Sequence, residues 1–337
     1  MSNTKSRTCL RLNAFRNIMR FADAHSDFGI LRSMVQEGTV SKQIENDFVR
    51  DLEIAEVGMS VVQVGGDFNH DTYDFRERDI VLQTMNLFQP ENIKQHPYLE
   101  VAVSKKDIDD ITNRGKSAVI LSIEGSTVID TKFETLDFLY EQGLRNLAIT
   151  HDYQNQYGCG CRVEVDTGLT PDGERLVEYT AKKGMILDLV HVGEKTFWGA
   201  IEYASQPVFV SHSNSKRVFD EVRNITDQQI QAIGERKGVV AVNFISEFLD
   251  PQKGVAPLDR LVDHIDYIVE LTSIENVALG PDFFQYLMPE LDYVGDVIGP
   301  ADLVRVPPAL ETRGYSEREV SKICYENLVK FISTSLR

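Results

Sequence analysis

Eight short β-rich runs recur along this chain, and the segments between them carry helical periodicity. The runs are 19–27 (MRFADAHSD), 59–67 (MSVVQVGGD), 118–125 (AVILSIEG), 146–151 (NLAITH), 186–191 (ILDLVH), 207–212 (PVFVSH), 239–244 (VVAVNF) and 276–282 (NVALGPD). Strands that alternate with helices pack as βα units around a parallel sheet, and eight such units make a (β/α)8 (TIM) barrel. Between runs three and four, Phe133, Leu136, Leu139 and Tyr140 fall at helical spacing, with Gly143 placed to end the helix. Thr226 with Gln229, and Ser316 with Glu319, are capping boxes. The first opens a helix bearing Ile230 and Ile233, the second a final helix bearing Val320, Ile323, Leu328 and Phe331. Val262, Ile265, Ile268 and Val269 form another amphipathic face before run eight.

A length of 337 residues with 42% apolar content supports one large core. No short repeat, low-complexity segment or Pro/Gly-rich linker forces a boundary, so a single domain over 1–337 is expected, with a barrel core at about 19–331. The long first connection and the stretches 154–172 and 254–259 read as irregular loops, where barrel enzymes shape their pockets. A net charge of -17 argues against a nucleic-acid partner, which needs clustered Lys and Arg. Residues 1–20 have basic residues but no continuous apolar stretch, and no run approaches the roughly 20 apolar residues that span a bilayer. Four scattered cysteines do not make a disulfide scaffold. A cytoplasmic protein without membrane association is expected.

Most runs end in a residue able to bind a metal or move a proton, and in a barrel those ends converge on one mouth. His25 and Asp27, two apart, point to the same side of a strand and suit one metal ion. Glu124 follows an apolar stretch, where an uncompensated carboxylate is costly; bridging two cations offsets that cost. His191 and His212 bring imidazoles to the same mouth for a second metal, and this nitrogen and oxygen set suits zinc.

Each piece alone is weak, since a histidine after an apolar strand is commonly structural; the weight comes from all of them sharing one face. His151 is read as a neutral donor to a developing oxyanion, with a packed histidine paired with Asp152 as the alternative. Asp282 can hold the proton of the attacking hydroxide, with a loop cap as the alternative. Arg223 can fork onto a carboxylate, although the residues alone fit an ordinary surface arginine better. Cys159 and Cys161 lack the second pair that metal or redox chemistry would want. His264 is read as structural, while His70 and His96 lack a partner pattern. No G-x-S-x-G elbow occurs, and Ser211, His212 and Ser213 carry no triad signature.

The ordered set DAHSD, LSIEGS, AITHD, LDLVHV, VSHSNS, RNITDQQ, VAVNF, DHIDYIVEL and ALGPDF resembles the membrane (renal) dipeptidase family of zinc peptidases over about residues 21–331. The resemblance implies two zinc ions per subunit, one on His25 and Asp27, the other on His191 and His212, with Glu124 bridging. It implies that His151 contacts substrate or the tetrahedral intermediate. It also implies that Arg223, eleven residues beyond His212, binds a dipeptide's free carboxylate, and that Asp282 handles the substrate amine or the hydroxide proton. A homodimer and tolerance of a C-terminal D-residue are family expectations; the membrane anchor of animal members is not implied. The family's usual DGHND, DLSH and GSDFDG stand here as DAHSD, DLVH and GPDFFQ, so Ala24, Ser26, Val190, Pro281 and Phe284 differ. Ile245 stands where members often carry a tyrosine beside the substrate. Metal binding is therefore expected to be kept more faithfully than substrate preference.

The expected reaction is hydrolysis of a dipeptide by hydroxide bridging two zinc ions, since a bound cation lowers the pKa of water from about 15.7 towards about 7. Two rivals stand beside it. One is a metal-dependent amidohydrolase or lactonase acting on a non-peptide substrate, which the altered pocket residues would allow. The other is a non-catalytic ligand-binding barrel, against which the intact ligand set speaks.

Overall fold

The computed structural model describes residues 19–70, 73–252, 254–284, 286 and 288–336. Each run overlaps a strand, three of which begin one or two residues earlier than expected: β1 (Phe21–Ser26), β2 (Val57–Gly66), β3 (Ser117–Glu124), β4 (Leu144–Ala148), β5 (Ile186–Asp188), β6 (Phe209–Val210), β7 (Val239–Val242) and β8 (Val277–Leu279). They lie side by side in chain order, every neighbouring pair parallel. With β8 lying against β1, the sheet curls into a nearly closed (β/α)8 barrel.

The expected helices are present at Glu134–Glu141, Asp227–Glu235 and Leu258–Leu271, and both capping boxes form. The final helix is not continuous: a π turn at Lys322–Glu326 separates Glu317–Ser321 from Asn327–Ser335. A short strand at Leu99–Val101, pairing with the first residues of β3, was not foreseen, because three residues are too few to show a period.

Strand periodicity divides the core into two. One set of alternate positions, including Val62, Leu121, Leu147, Leu187 and Val240, packs outward against helical residues such as Leu136, Ile230 and Ile265. The other set, Met59, Val61, Ala118, Ile120, Ile186, Phe209, Val239, Ala241 and Ala278, gathers inside the barrel. Leu328, Phe331 and Ile332 of the last helix close this inner cluster where the strands begin, Phe331 stacking on Phe209 at 5.3 Å. The mouth at the other end is left for polar residues.

Candidate metal centre at the barrel mouth

Continuing the inward-facing phase toward the mouth, the residues change from apolar to polar: Gln63 after Val61, Ser122 and Glu124 after Ile120, Asp188 after Ile186, Ser211 after Phe209, Asn243 after Ala241. All are buried, so each needs a partner. Asp188 accepts the backbone N–H groups of Val190 (3.0 Å) and Ser211 (3.1 Å), and Asn243 Nδ2 donates to Asp282 Oδ2 at 3.0 Å. The Gln63 amide meets His25 Nδ1 at 3.2 Å, and Ser211 Oγ meets His212 Nδ1 at 3.0 Å. This layer aims the histidines above it.

With each Nδ1 engaged from outside, the Nε2 atoms converge on one oxygen. Glu124 Oε1 lies 2.8 Å from His191 Nε2, 3.4 Å from His212 Nε2 and 3.7 Å from His25 Nε2. His25 Nε2 is also 3.8 Å from Asp27 Oδ1 and 3.7 Å from Asp282 Oδ1. His191 and Asp282 both take left-handed backbone conformations, with φ of 62° and 59°. Such conformations are unfavourable for residues with a Cβ and persist where surroundings enforce them. Here they turn the chain out of β5 and β8 with the side chains kept at the mouth.

The electrostatics match the chemistry of a metal donor set. Burial pushes the His25 imidazole down to about 3, and burial, with Arg223 beside His191 and His25 beside His212, holds those two imidazoles well below their ordinary value. Neutral imidazoles offer lone pairs. Burial pushes Glu124 up, and the charges of Asp27 and Asp282 add to it; burial and Asp282 do the same to Asp27. Carboxylates crowded around lone-pair nitrogens call for cations. His25 with Asp27 and Asp282, His25 with Glu124 and His212, and Glu124 with His151 and His191 each bring their donor atoms within 4.8 Å of one another.

All eight residues singled out from the sequence meet here. His151 stacks on His191, ring centroids 4.1 Å apart, with Nε2 4.0 Å from Glu124 Oε2, and burial lowers it to about 4. Its carboxylate neighbour in sequence does something else: Asp152 bonds to His191 Nδ1 at 2.7 Å. Arg223 is no surface residue. It is buried, Nη2 lying 3.1 Å from His191 Nε2, with the guanidinium 5.6 Å over the Phe248 ring. Asp282 rises to about 6 by burial, partly opposed by the Asn243 hydrogen bond.

His264 is buried, its Nδ1 accepting the Ser215 N–H at 3.1 Å, a structural role. His96 has a partner after all, Glu45 at 2.7 Å, supplied by tertiary folding; the side chain of His70 lies outside the described residues. Cys159 Sγ accepts the Thr167 N–H at 3.4 Å, and Cys161 Sγ approaches Asp152 Oδ1 at 3.7 Å. Gln63 and Asn243 went unmarked, although their inward phase near strand ends was a usable signal. Adjacency points Asp152 to His151 rather than to His191, and Tyr286 carries no signal. The Tyr286 hydroxyl is buried beside the site with no hydrogen-bond partner among the described residues. Burial, Asp27 and Asp282 push its ionisation well up, so it stays an O–H group.

Known proteins resemble this chain in sequence and in fold. The chain is 31% identical over 243 residues to an uncharacterized protein in the pqqA 5' region of Klebsiella pneumoniae, covering 69% of this chain and 88% of that one. It is 26% identical over 263 residues to the dipeptidase tcpJ of Claviceps purpurea, 77% of this chain and 59% of that one. Among solved structures, a metallopeptidase from Rhodobacter sphaeroides liganded with a phosphinate mimic of the dipeptide L-Ala-D-Ala superposes with a TM-score of 0.81 at 19% identity, covering 94% and 99% of the two chains. Another, described as the dipeptidase AC, gives 0.82 at 20% identity over the same shares. The family model for membrane dipeptidase (peptidase family M19) matches residues 11–335. That span leaves only the two ends of the sequence outside the match, and the chain belongs to the membrane dipeptidase family of metallopeptidases.

Proposed function

We propose that this chain is a binuclear zinc dipeptidase. The observation that carries the reading is the convergence of three imidazole Nε2 atoms on Glu124 Oε1, with acidic groups at one end of the cluster and a guanidinium at the other. On this reading His25 and Asp27 would hold one zinc and His191 and His212 the other, with Glu124 the carboxylate within reach of both. Bound zinc supplies Lewis acidity and lowers the pKa of a water towards about 7.

The chain's own residues do the rest. The site is polarised, Arg223 beside His191 and the pair Asp27 and Asp282 beside His25, which matches a short zwitterion. A dipeptide's terminal carboxylate pairs with Arg223, its ammonium lies towards the acidic end, and the peptide bond falls over Glu124. His151, kept neutral by burial, donates to the carbonyl oxygen as it gains charge. Asp282, held in place by the Asn243 hydrogen bond beside His25, is placed to carry a proton towards the leaving amine. Only a dipeptide carries a free ammonium and a free carboxylate on the two sides of the bond that is cut, so a site that reads both charges selects dipeptides. The L-Ala-D-Ala mimic bound by the Rhodobacter relative supports a C-terminal D-residue. The reading includes one domain over the whole chain, a homodimer and a cytoplasmic location; no helix among the described residues is long and apolar enough to cross a membrane.

The test is metal analysis of the purified protein together with a panel of dipeptides, their N-acetyl and C-amide forms, cyclic amides and lactones. Two zinc equivalents and cleavage confined to free dipeptides are expected. Turnover of lactones or cyclic amides alone after zinc addition would mean that the substrate class is wrong.

A further inference from the structure

The loop after β4 places one carboxylate where it touches both halves of the proposed machinery. Asp152 Oδ1 lies 2.7 Å from His191 Nδ1 and 3.7 Å from Arg223 Nε, and Oδ2 accepts from Arg162 Nε at 2.9 Å. Arg162 in turn reaches Glu221 at 4.0 Å, on the loop that carries Arg223. The Cys159–Gly160–Cys161 turn clamps this arrangement. Cys161 N–H donates to the His191 carbonyl at 2.6 Å, Gly193 N–H to the Cys159 carbonyl at 2.8 Å, and Arg162 N–H to the Asp152 carbonyl at 2.9 Å. Gly160 passes so near that a Cβ there would lie 2.2 Å from the His151 carbonyl oxygen and 2.3 Å from the Asp152 carbonyl carbon. Only glycine lets the turn cross at that height.

We propose that Asp152 is a positioning residue that orients the His191 imidazole for metal and the Arg223 guanidinium for the substrate carboxylate at the same time. The proposal rests on the zinc dipeptidase reading. A carboxylate on Nδ1 keeps the proton there and turns the Nε2 lone pair towards Glu124 and His212, which raises the basicity of the ligand. The same oxygen holds the charge of Arg223 in place, and Arg162 braces the carboxylate from behind. Metal affinity and dipeptide affinity are therefore coupled through a single side chain that touches neither ligand. The grouping of Asp152, Cys161 and His191 within 4.8 Å is not read as a third metal site. The Asp152 oxygens and His191 Nδ1 are already engaged, two guanidiniums stand beside them, and burial pushes the Cys161 thiol up, keeping it protonated.

The experiment compares the unaltered enzyme with Asp152→Asn and Arg162→Ala, measuring zinc affinity by competition with a chromophoric chelator, KM and kcat for L-Ala-D-Ala at saturating zinc, and the thermal midpoint. For Asp152→Asn, one of the two zinc equivalents is expected to weaken about 10- to 100-fold, and KM to rise about tenfold even with zinc saturating. Arg162→Ala should move both quantities the same way by less, and it carries the test if Asp152→Asn does not fold. A purely structural Asp152 would lower the thermal midpoint and leave zinc affinity and KM unchanged, which overturns the proposal. Unaltered protein that takes up no zinc and cleaves no dipeptide overturns the zinc dipeptidase reading and this proposal with it.

Discussion

His191 Nε2 and His212 Nε2 face each other at 3.0 Å above Glu124 Oε1. Two neutral imidazoles at that distance avoid lone-pair repulsion when one donates a proton to the other or to Glu124, or when both donate electrons to a cation, while Arg223 Nη2 stands 3.1 Å from His191 Nε2. With both Nδ1 atoms engaged from outside, a shared cation uses both Nε2 lone pairs.

Stability should therefore depend on metal. Removing metal with a chelator should lower the thermal midpoint and abolish hydrolysis, and zinc should restore both. At free zinc about 1,000-fold above its dissociation constant the native state gains about 4 kcal/mol. A midpoint indifferent to zinc would refute metal binding at this site.

Arg223→Ala should raise KM for dipeptides about 10- to 100-fold with a smaller change in kcat, because a lost charged hydrogen bond is worth about 1.5–3 kcal/mol. The unaltered enzyme should discriminate strongly against a C-terminal carboxamide, and the variant weakly. Equal discrimination by both would remove Arg223 from carboxylate recognition.

Tyr286→Phe should separate stability from binding. Deleting a buried hydroxyl that has no partner among the described residues should stabilise the free protein by up to about 1–3 kcal/mol. The same change should weaken dipeptide binding at the end bounded by Asp27 and Asp282, seen as a higher KM. A stabilised variant with unaltered KM would confine Tyr286 to packing.

Glu45 links the two helices of the first connection, Phe28–Gln36 and Lys42–Ile54, to His96 through Arg32 (3.0 Å), His96 (2.7 Å) and Lys42. Burial alone would raise its carboxyl; contacts with His96, Lys42 and Arg32 outweigh burial and bring it down from 4.5 to about 2. A depressed carboxyl contributes its stabilisation in full above the unfolded value, so this part should be intact above about pH 4.5 and fade as pH falls towards 2. Glu45→Gln, leaving Arg32 buried and unpaired, should cost about 3–5 kcal/mol at neutral pH and flatten that acid limb in denaturant titrations. An identical acid limb in the variant would assign it to other groups.

Much of this was legible because barrels translate sequence order into geometry. Period-two alternation in runs such as MSVVQ and AVILSIE sets which side chains face inward. Parallel strands in chain order then bring the strand ends to one mouth, with Glu124 in the inward phase, His25 arriving past the register shift between Asp23 and Ser26, and His191 on its left-handed turn. The capping boxes at Thr226 and Ser316 were readable for a related reason: their partners lie three residues away.

What the sequence by itself determined was thus the barrel, its helices and the residues at its mouth, since these follow from local periodicity and strand order. Only the tertiary structure decided that Asp152 serves His191 rather than its neighbour His151, that Arg223 is buried against the cluster, that His96 meets Glu45, and that Tyr286 brings to the acidic end a hydroxyl with no partner among the described residues. Each of these depends on where an irregular loop or a distant helix comes to rest, and long-range packing carries no signature at the spacing of neighbouring residues.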